Sequence, residues 1–141
     1  MSRRSRAREV ALQILFEDDV NPRATVAEMK EFVGGRLNHQ AELIEFCMSL
    51  ILGVRRNQTE LDEQLSQIAD NWSVARMAAT DRNVMRLGAY EILYTDTPDR
   101  AAINEAVELA KRFGSAQSAH FVNGILDKFI HRTDKGPGSN S

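Results

Sequence analysis

The sequence predicts an all-α protein, and three observations carry that reading. Apolar residues recur at three- and four-residue spacing through most of the 141-residue chain. No segment has the strong two-residue alternation of a half-buried strand. The 8 glycines and 3 prolines are sparse enough to leave long uninterrupted periods. A chain of this length can bury a hydrophobic core without disulfides or a metal, and 43% apolar against 27% charged residues suits a folded middle. The expected organisation is a flexible basic arm over 1–8, a single helical domain over 9–132 and a disordered tail over 133–141, where no apolar residue follows Lys135.

The elements follow in order. From Ala7, the positions Val10, Ala11, Ile14 and Leu15 trace one helix face, Leu12 and Phe16 lie on a neighbouring stripe, and Asn21-Pro22 stops the helix. Thr25 with Glu28 forms a capping-box pattern before Val26, Met29 and Val33, and Gly34-Gly35 is the expected end of a short second helix. Leu43, Cys47, Leu50, Ile51 and Val54 mark a third. Thr59 with Asp62 resembles another capping box ahead of Leu61, Leu65 and Ile68, a fourth helix with Trp72 just beyond. Thr80 is the expected cap of a fifth, whose Val84, Met85, Leu87, Ala89, Tyr90, Ile92 and Leu93 are apolar on nearly every side, as suits a central, enclosed helix. Thr97-Pro98-Asp99 opens a sixth helix lined by Ile103, Ala106, Val107 and Ala110 and closed at Gly114. The last carries Phe121, Val122, Ile125, Leu126 and Phe129, about seven helices in all.

Several function classes find no support. The single cysteine, Cys47, lies in an apolar run, which excludes a disulfide framework within the monomer and makes a reducing, cytoplasmic setting the default. His39, His120 and His131 have no metal-ligand spacing with one another or with Cys47. Phosphate-binding glycine loops and nucleophile elbows are absent from the sequence, and no stretch reaches the roughly 18 to 20 apolar residues of a membrane helix. Asn104-Glu105 and Glu108 share a helix with Lys111 and Arg112, where Glu108 and Arg112 make an ordinary i,i+4 ion pair rather than an acid/base site. No catalytic residue, metal or cofactor is expected.

Charge is unevenly placed. Arg3, Arg4, Arg6 and Arg8 precede the first acid, Glu9, and taking these four from 18 basic residues leaves 14 against 20 acids over the remainder. A basic arm on an acidic body suits one localised polyanion contact. Arginine grips phosphate with a two-pronged geometry and stacks on exposed bases; a solubilising terminus is the alternative. In Phe121-Val122-Asn123-Gly124, Gly124 gives up roughly 1 kcal/mol of helix propensity, which points to close approach by another helix or by a partner. Phe121, beside Gln117, Ser118 and His120, is either a core residue or a platform for a base.

Together these segments resemble the NusB family. Residues 6 to 16, Arg-Ala-Arg-Glu-Val-Ala-Leu-Gln-Ile-Leu-Phe, are similar to its first helix. Asp81-Arg-Asn-Val-Met-Arg-Leu-Gly-Ala-Tyr-Glu91 is similar to its central helix, and Ala102-Ile-Asn-Glu-Ala-Val-Glu-Leu-Ala-Lys111 with Phe121-Val-Asn-Gly-Ile-Leu-Asp127 to its C-terminal signature. The resemblance implies a seven-helix, two-bundle fold. It also implies pairing with NusE, a small-subunit ribosomal protein, binding of boxA-type single-stranded RNA, and action on RNA polymerase that suppresses premature termination on ribosomal RNA operons. Carried over by position, the RNA surface is Arg3, Arg4, Arg6 and Arg8 with Gln117 and Phe121, and the NusE surface includes Phe16 and Asp81. A well-known family member carries an acid where Gln117 stands. Two other readings are a protein-binding adapter that uses the Leu12/Phe16 stripe without touching RNA, and a stand-alone relative of the RNA-binding domain of ribosomal RNA cytosine methyltransferases, for which no methyl-donor domain follows Arg132.

Overall fold

In a computed structural model, which describes residues 2–22, 24–69 and 74–139 and side chains as far as residue 132, the described residues form helices and turns and no strand. The helices are α1 (Arg3–Val20), α2 (Val26–Arg36), α3 (Ala41–Ile68), α4 (Ala79–Tyr94), α5 (Asp99–Phe113) and α6 (Ser118–Ser139), with a 3-10 turn at Val74–Arg76. The chain divides into two compact units, Met1–Asn57 and Gln58–Ser141, and the division falls within α3.

In the first unit the helix begins earlier than the sequence suggested. Ser2 caps α1 by accepting from the Ser5 amide at 3.0 Å, so the arginine segment expected as a flexible arm is the first two turns of a helix. A side-chain cap and good helix formers such as arginine and alanine account for the difference. Ala7, Val10, Ala11, Ile14 and Leu15 are buried as their spacing implied, but so is Leu12, which separates it from the half-exposed Phe16. The Thr25–Glu28 capping box forms, with the Glu28 amide donating to Thr25 Oγ1 at 3.1 Å and the Thr25 amide to Glu28 Oε1 at 2.8 Å. The Thr25 amide, and after it the Thr25 side chain, hold the Glu28 carboxyl below its ordinary pKa. α2 runs through Gly34 and Gly35 to Arg36, because the reversal is made instead by Asn38 and His39, both in the left-handed region at φ 54° and 56°. Arg55 ties α3 back by an ion pair to Asp18 at 3.2 Å.

The third and fourth helices expected from the sequence are one element. Between Val54 and Leu61 no glycine or proline interrupts the helix, so Thr59 sits mid-helix and caps nothing. Asp62, assigned by pattern to that cap, instead receives Arg86 from α4 through two bonds, Nε to Oδ1 at 2.7 Å and Nη2 to Oδ2 at 2.8 Å. Trp72 lies outside the described residues.

In the second unit α4, α5 and α6 pack on one another. α4 is enclosed through Val84, Met85, Leu87 and Ala89, each at most 1% exposed, whereas Tyr90, Ile92 and Leu93 towards its end are only half-buried, so the helix is less enclosed there than its composition suggested. It also buries Asn83, Arg86 and Glu91; the Glu91 carboxylate accepts from Thr97 Oγ1 at 2.9 Å. Thr80 is not its cap: Ala78 holds that position, with no side-chain bond, and Thr80 falls in the first turn. Gly88 lets α4 approach α5 and α6 closely, since a Cβ there would stand 2.7 Å from Leu126 Cδ1 and 3.3 Å from Ala106 Cβ. Val122, Leu126 and Phe129 of α6 complete this core. α6 continues past Arg132, where the sequence reading ended it, and the side chains of the tail assigned to 133–141 lie outside those described.

Candidate nucleic-acid interface

Helix geometry sorts the four arginines. Residues four apart on a helix share a face, and Arg4 and Arg8 both address the ring of Phe46 on α3, their guanidinium carbons 4.3 and 5.2 Å from its centroid. A cation over an aromatic face is held by the ring quadrupole, so Phe46 fixes two guanidinium groups at once. Arg8 is buried at 6% exposure, which makes it a packing member of this set, whereas Arg4 remains exposed. Exposed Arg3 donates to Gln40 Oε1 at 2.5 Å, and Arg6 pairs with the buried Glu9 at 3.3 Å. The result is a cationic surface with restricted side chains, which lowers the entropy lost when a phosphate is gripped.

Gln117 and Phe121 lie in the second unit at the start of α6. That start is built by Ser118, buried at 2%, whose Oγ accepts from the Ser115 amide at 2.8 Å. Gly114 makes the approach possible: a Cβ there would fall 2.4 Å from Ser118 Oγ, closer than real side chains come. One turn on, Phe121 helps line a cavity of about 230 Å³ with Gln117, Asp81, Arg76, Met77 and Ala78. The ring is neither core nor fully exposed. Gln117 is exposed, and its carbonyl accepts from the Phe121 amide at 3.0 Å. Asp81, in the first turn of α4, thus shares a cavity with the two residues assigned to RNA. Its Oδ1 is buried with no hydrogen-bond partner among the described residues.

Phe16, in the first unit, is 37% exposed, and Val20 one turn further is 56% exposed. Large apolar groups left in water in sequence at i and i+4 make a patch suited to burial by a partner. Gly124 resolves the alternatives its sequence context left: it is exposed and a Cβ there would meet nothing within 4 Å, so close packing inside the chain is not its reason. Cys47 is fully buried, and desolvation pushes its thiol up to about 12. Among the described residues no cluster of three or more histidine, cysteine or acidic side chains is placed to hold a metal ion, and no helix is long and apolar enough to cross a membrane.

Sequence reasoning missed Phe46, Gln40 and Arg76. Phe46 belongs to the helical run around Cys47, where its partial exposure and its partners on α1 had no local signal. Arg76 follows a segment without a clear period.

Among the described residues, a helical scaffold with an arginine surface in one unit and a cavity lined by Phe121 in the other belongs to the class of proteins built around contact surfaces. The comparisons agree with that class: the model of the NusB family matches residues 5–131, and the chain belongs to that family. The transcription antitermination protein NusB of Anaeromyxobacter dehalogenans strain 2CP-1 is 42% identical over 127 residues, 90% of this chain and 89% of that protein. The solved structure of T. maritima NusB superposes with a TM-score of 0.81 at 32% identity, covering 93% of this chain and 92% of that one. A crystal structure of the antitermination factors NusB and NusE in complex with double-stranded RNA has a matching chain with a TM-score of 0.80 at 25% identity, covering 94% and 98%.

Proposed function

We propose that this chain is a cytoplasmic transcription antitermination factor that binds boxA-type single-stranded RNA together with the ribosomal protein NusE. In this reading it acts within the RNA polymerase antitermination complex during transcription of ribosomal RNA operons, without catalysis. The observation that carries the reading is the half-buried Phe121 ring beside Gln117 in an open cavity, the geometry of a stacking wall next to a polar reader. Arg3, Arg4 and Arg6 supply phosphate contacts and Arg8 holds the set in place through Phe46. Phe16 and Asp81 supply the NusE surface, an apolar anchor and a charge that a basic ribosomal protein can pair.

The test measures affinity for a boxA-type oligonucleotide with and without purified NusE, and NusE capture with RNA absent. Phe121→Ala is expected to cost about 1 to 3 kcal/mol of RNA affinity. Phe16→Ala and Asp81→Lys are expected to weaken capture while the helical circular-dichroism signal stays intact. RNA affinity unchanged in Phe121→Ala and in the arginine variants would refute RNA binding at these surfaces. Wild-type capture by both Phe16→Ala and Asp81→Lys would move the partner surface elsewhere.

A further inference from the structure

Among the described residues four aromatic side chains are substantially exposed: Phe16, Phe32, Tyr94 and Phe113. Phe16 belongs to the surface proposed for the ribosomal protein. Tyr94 is engaged, its ring stacked on Tyr90 at 5.4 Å between centroids and its hydroxyl donating to Glu60 at 2.9 Å. Phe32 sits under Arg36 on a helix that exposes Glu28 and Glu31 together with Lys30, so its charges balance and it has no cationic excess for a polyanion. Phe113 differs from all three. It is 48% exposed on the last residue of α5, it follows exposed Lys111 and Arg112, and the Arg112 guanidinium stands 5.6 Å from its ring centroid.

Its position is fixed by the turn that builds the Phe121 cavity. Gly114, the next residue, donates its amide to Ala110 O at 2.9 Å and abuts Ser118, and Phe121 lies one helical turn beyond Ser118. The α5–α6 turn therefore carries two partly exposed rings, one lining the cavity and one on the cationic end of α5. Lys111 keeps Glu108 as an ion-pair partner at 3.3 Å, with both side chains exposed, so this end is a screened cationic surface rather than a bare one. Aromatic rings interleaved with arginine and lysine are the elements from which single-strand platforms are made: the ring takes the face of any base and the cation takes the phosphate between bases.

We infer that Phe113 is a second stacking platform for single-stranded RNA, taking a further unpaired base of the strand that contacts Phe121, with Arg112 positioned at the intervening phosphate. The inference rests on the RNA-binding reading above and extends its footprint across the α5–α6 turn. A stacked base contributes little sequence discrimination, so Phe113 adds affinity and fixes the path of the strand.

The experiment measures binding of a boxA-type RNA oligonucleotide by fluorescence anisotropy, with NusE present, for the full chain and for Phe113→Ala, Phe113→Leu, Phe113→Trp and Phe121→Ala, each checked by thermal melting. Phe113→Ala and Phe113→Leu should raise Kd about 5- to 150-fold, Phe113→Trp should restore it, and all three should melt with the parent. An abasic scan of the oligonucleotide should reveal one position whose loss weakens the parent but not Phe113→Ala. Parental affinity in Phe113→Ala alongside weakened Phe121→Ala would overturn the inference and leave RNA binding standing. Parental affinity in both, and in an Arg3/Arg4 double variant, would overturn RNA binding itself. A Phe113→Ala defect with the same abasic penalties as the parent at every position would also overturn the inference, since the ring would then not be touching a base.

Discussion

Gly124→Ala separates the needs of the fold from those of the surface. Gly124 lies on the α6 stripe that begins at Gln117 and passes through Phe121, and added Cβ atoms at this position meet nothing within 4 Å. Alanine there strains no backbone and displaces no neighbour, so its effect on the isolated protein is the difference in helix propensity, about 0.5 to 1 kcal/mol in favour of alanine. For a chain of this size that corresponds to a rise of roughly 2 to 5 °C in Tm. Gly88 is the internal contrast. The same substitution there puts a methyl 2.7 Å from Leu126 Cδ1, and relief of that overlap by rotamer or helix shifts costs about 1 to 3 kcal/mol. Differential scanning calorimetry of the two variants should therefore move Tm in opposite directions. If the open glycine is kept because a partner approaches the helix backbone there, Gly124→Ala should melt higher yet bind RNA or NusE more weakly. A lower Tm for Gly124→Ala would refute the packing argument, and a higher Tm with parental affinity for both partners would refute the reason given for the glycine.

Other outcomes follow from the same geometry. Arg3→Ala with Arg4→Ala should lower the slope of log affinity against log salt by up to about 1.4, at ~0.7 per single-strand phosphate contact, with Tm little changed; Arg8→Ala should instead show up mainly in the melt, because Arg8 is buried over Phe46. Removing Arg86 as Arg86→Met leaves Asp62 without its two-bond partner and should destabilise the fold by about 3 kcal/mol, whereas Arg86→Met with Asp62→Leu should recover part of that in chemical denaturation. Cys47, with its thiol pushed up to about 12, should resist thiol reagents at pH 8 until the protein unfolds. Its folded-state pKa lies above the unfolded one, so its contribution to stability is fully present below about pH 8.5 and is lost as pH rises towards about 12. Cys47→Ala should shallow the alkaline fall in stability over that window.

Most of the fold was legible because its signals are local. The Thr25–Glu28 cap, the enclosed periodicity of α4 and the Pro98 start of α5 are each decided within one or two turns of chain. Where reading failed, a local pattern competed with something it could not see. Thr59 and Asp62 have the spacing of a capping box, yet an uninterrupted helix through 54–61 costs less than ending it, and Asp62 gains more from Arg86, 24 residues away. The helix start at Ser2 was missed because the apolar period begins only at Ala7, which left the arginines as a flexible arm, but a serine cap and the two guanidinium contacts with Phe46 stabilise the helical form.

The site was legible as residue types but not as groupings. The resemblance, carried over by position, assigned Asp81 and Phe121 to different partners, and the fold puts both on one cavity. That proximity changes how a charge at Asp81 acts. A carboxylate beside Gln117 and Phe121 repels any phosphate that enters the cavity, so a strand stacked on Phe121 as proposed would present a base there and keep its backbone outside. Arg76, on the same cavity, offers the compensating charge. In the proposed reading Asp81 and Arg76 orient a base without adding net attraction, and attraction for phosphate is left to the arginines on α1, of which Phe46 holds Arg4 and Arg8. On that proposal the arginine variants should change the salt dependence of RNA binding and the cavity variants should leave it nearly unaltered.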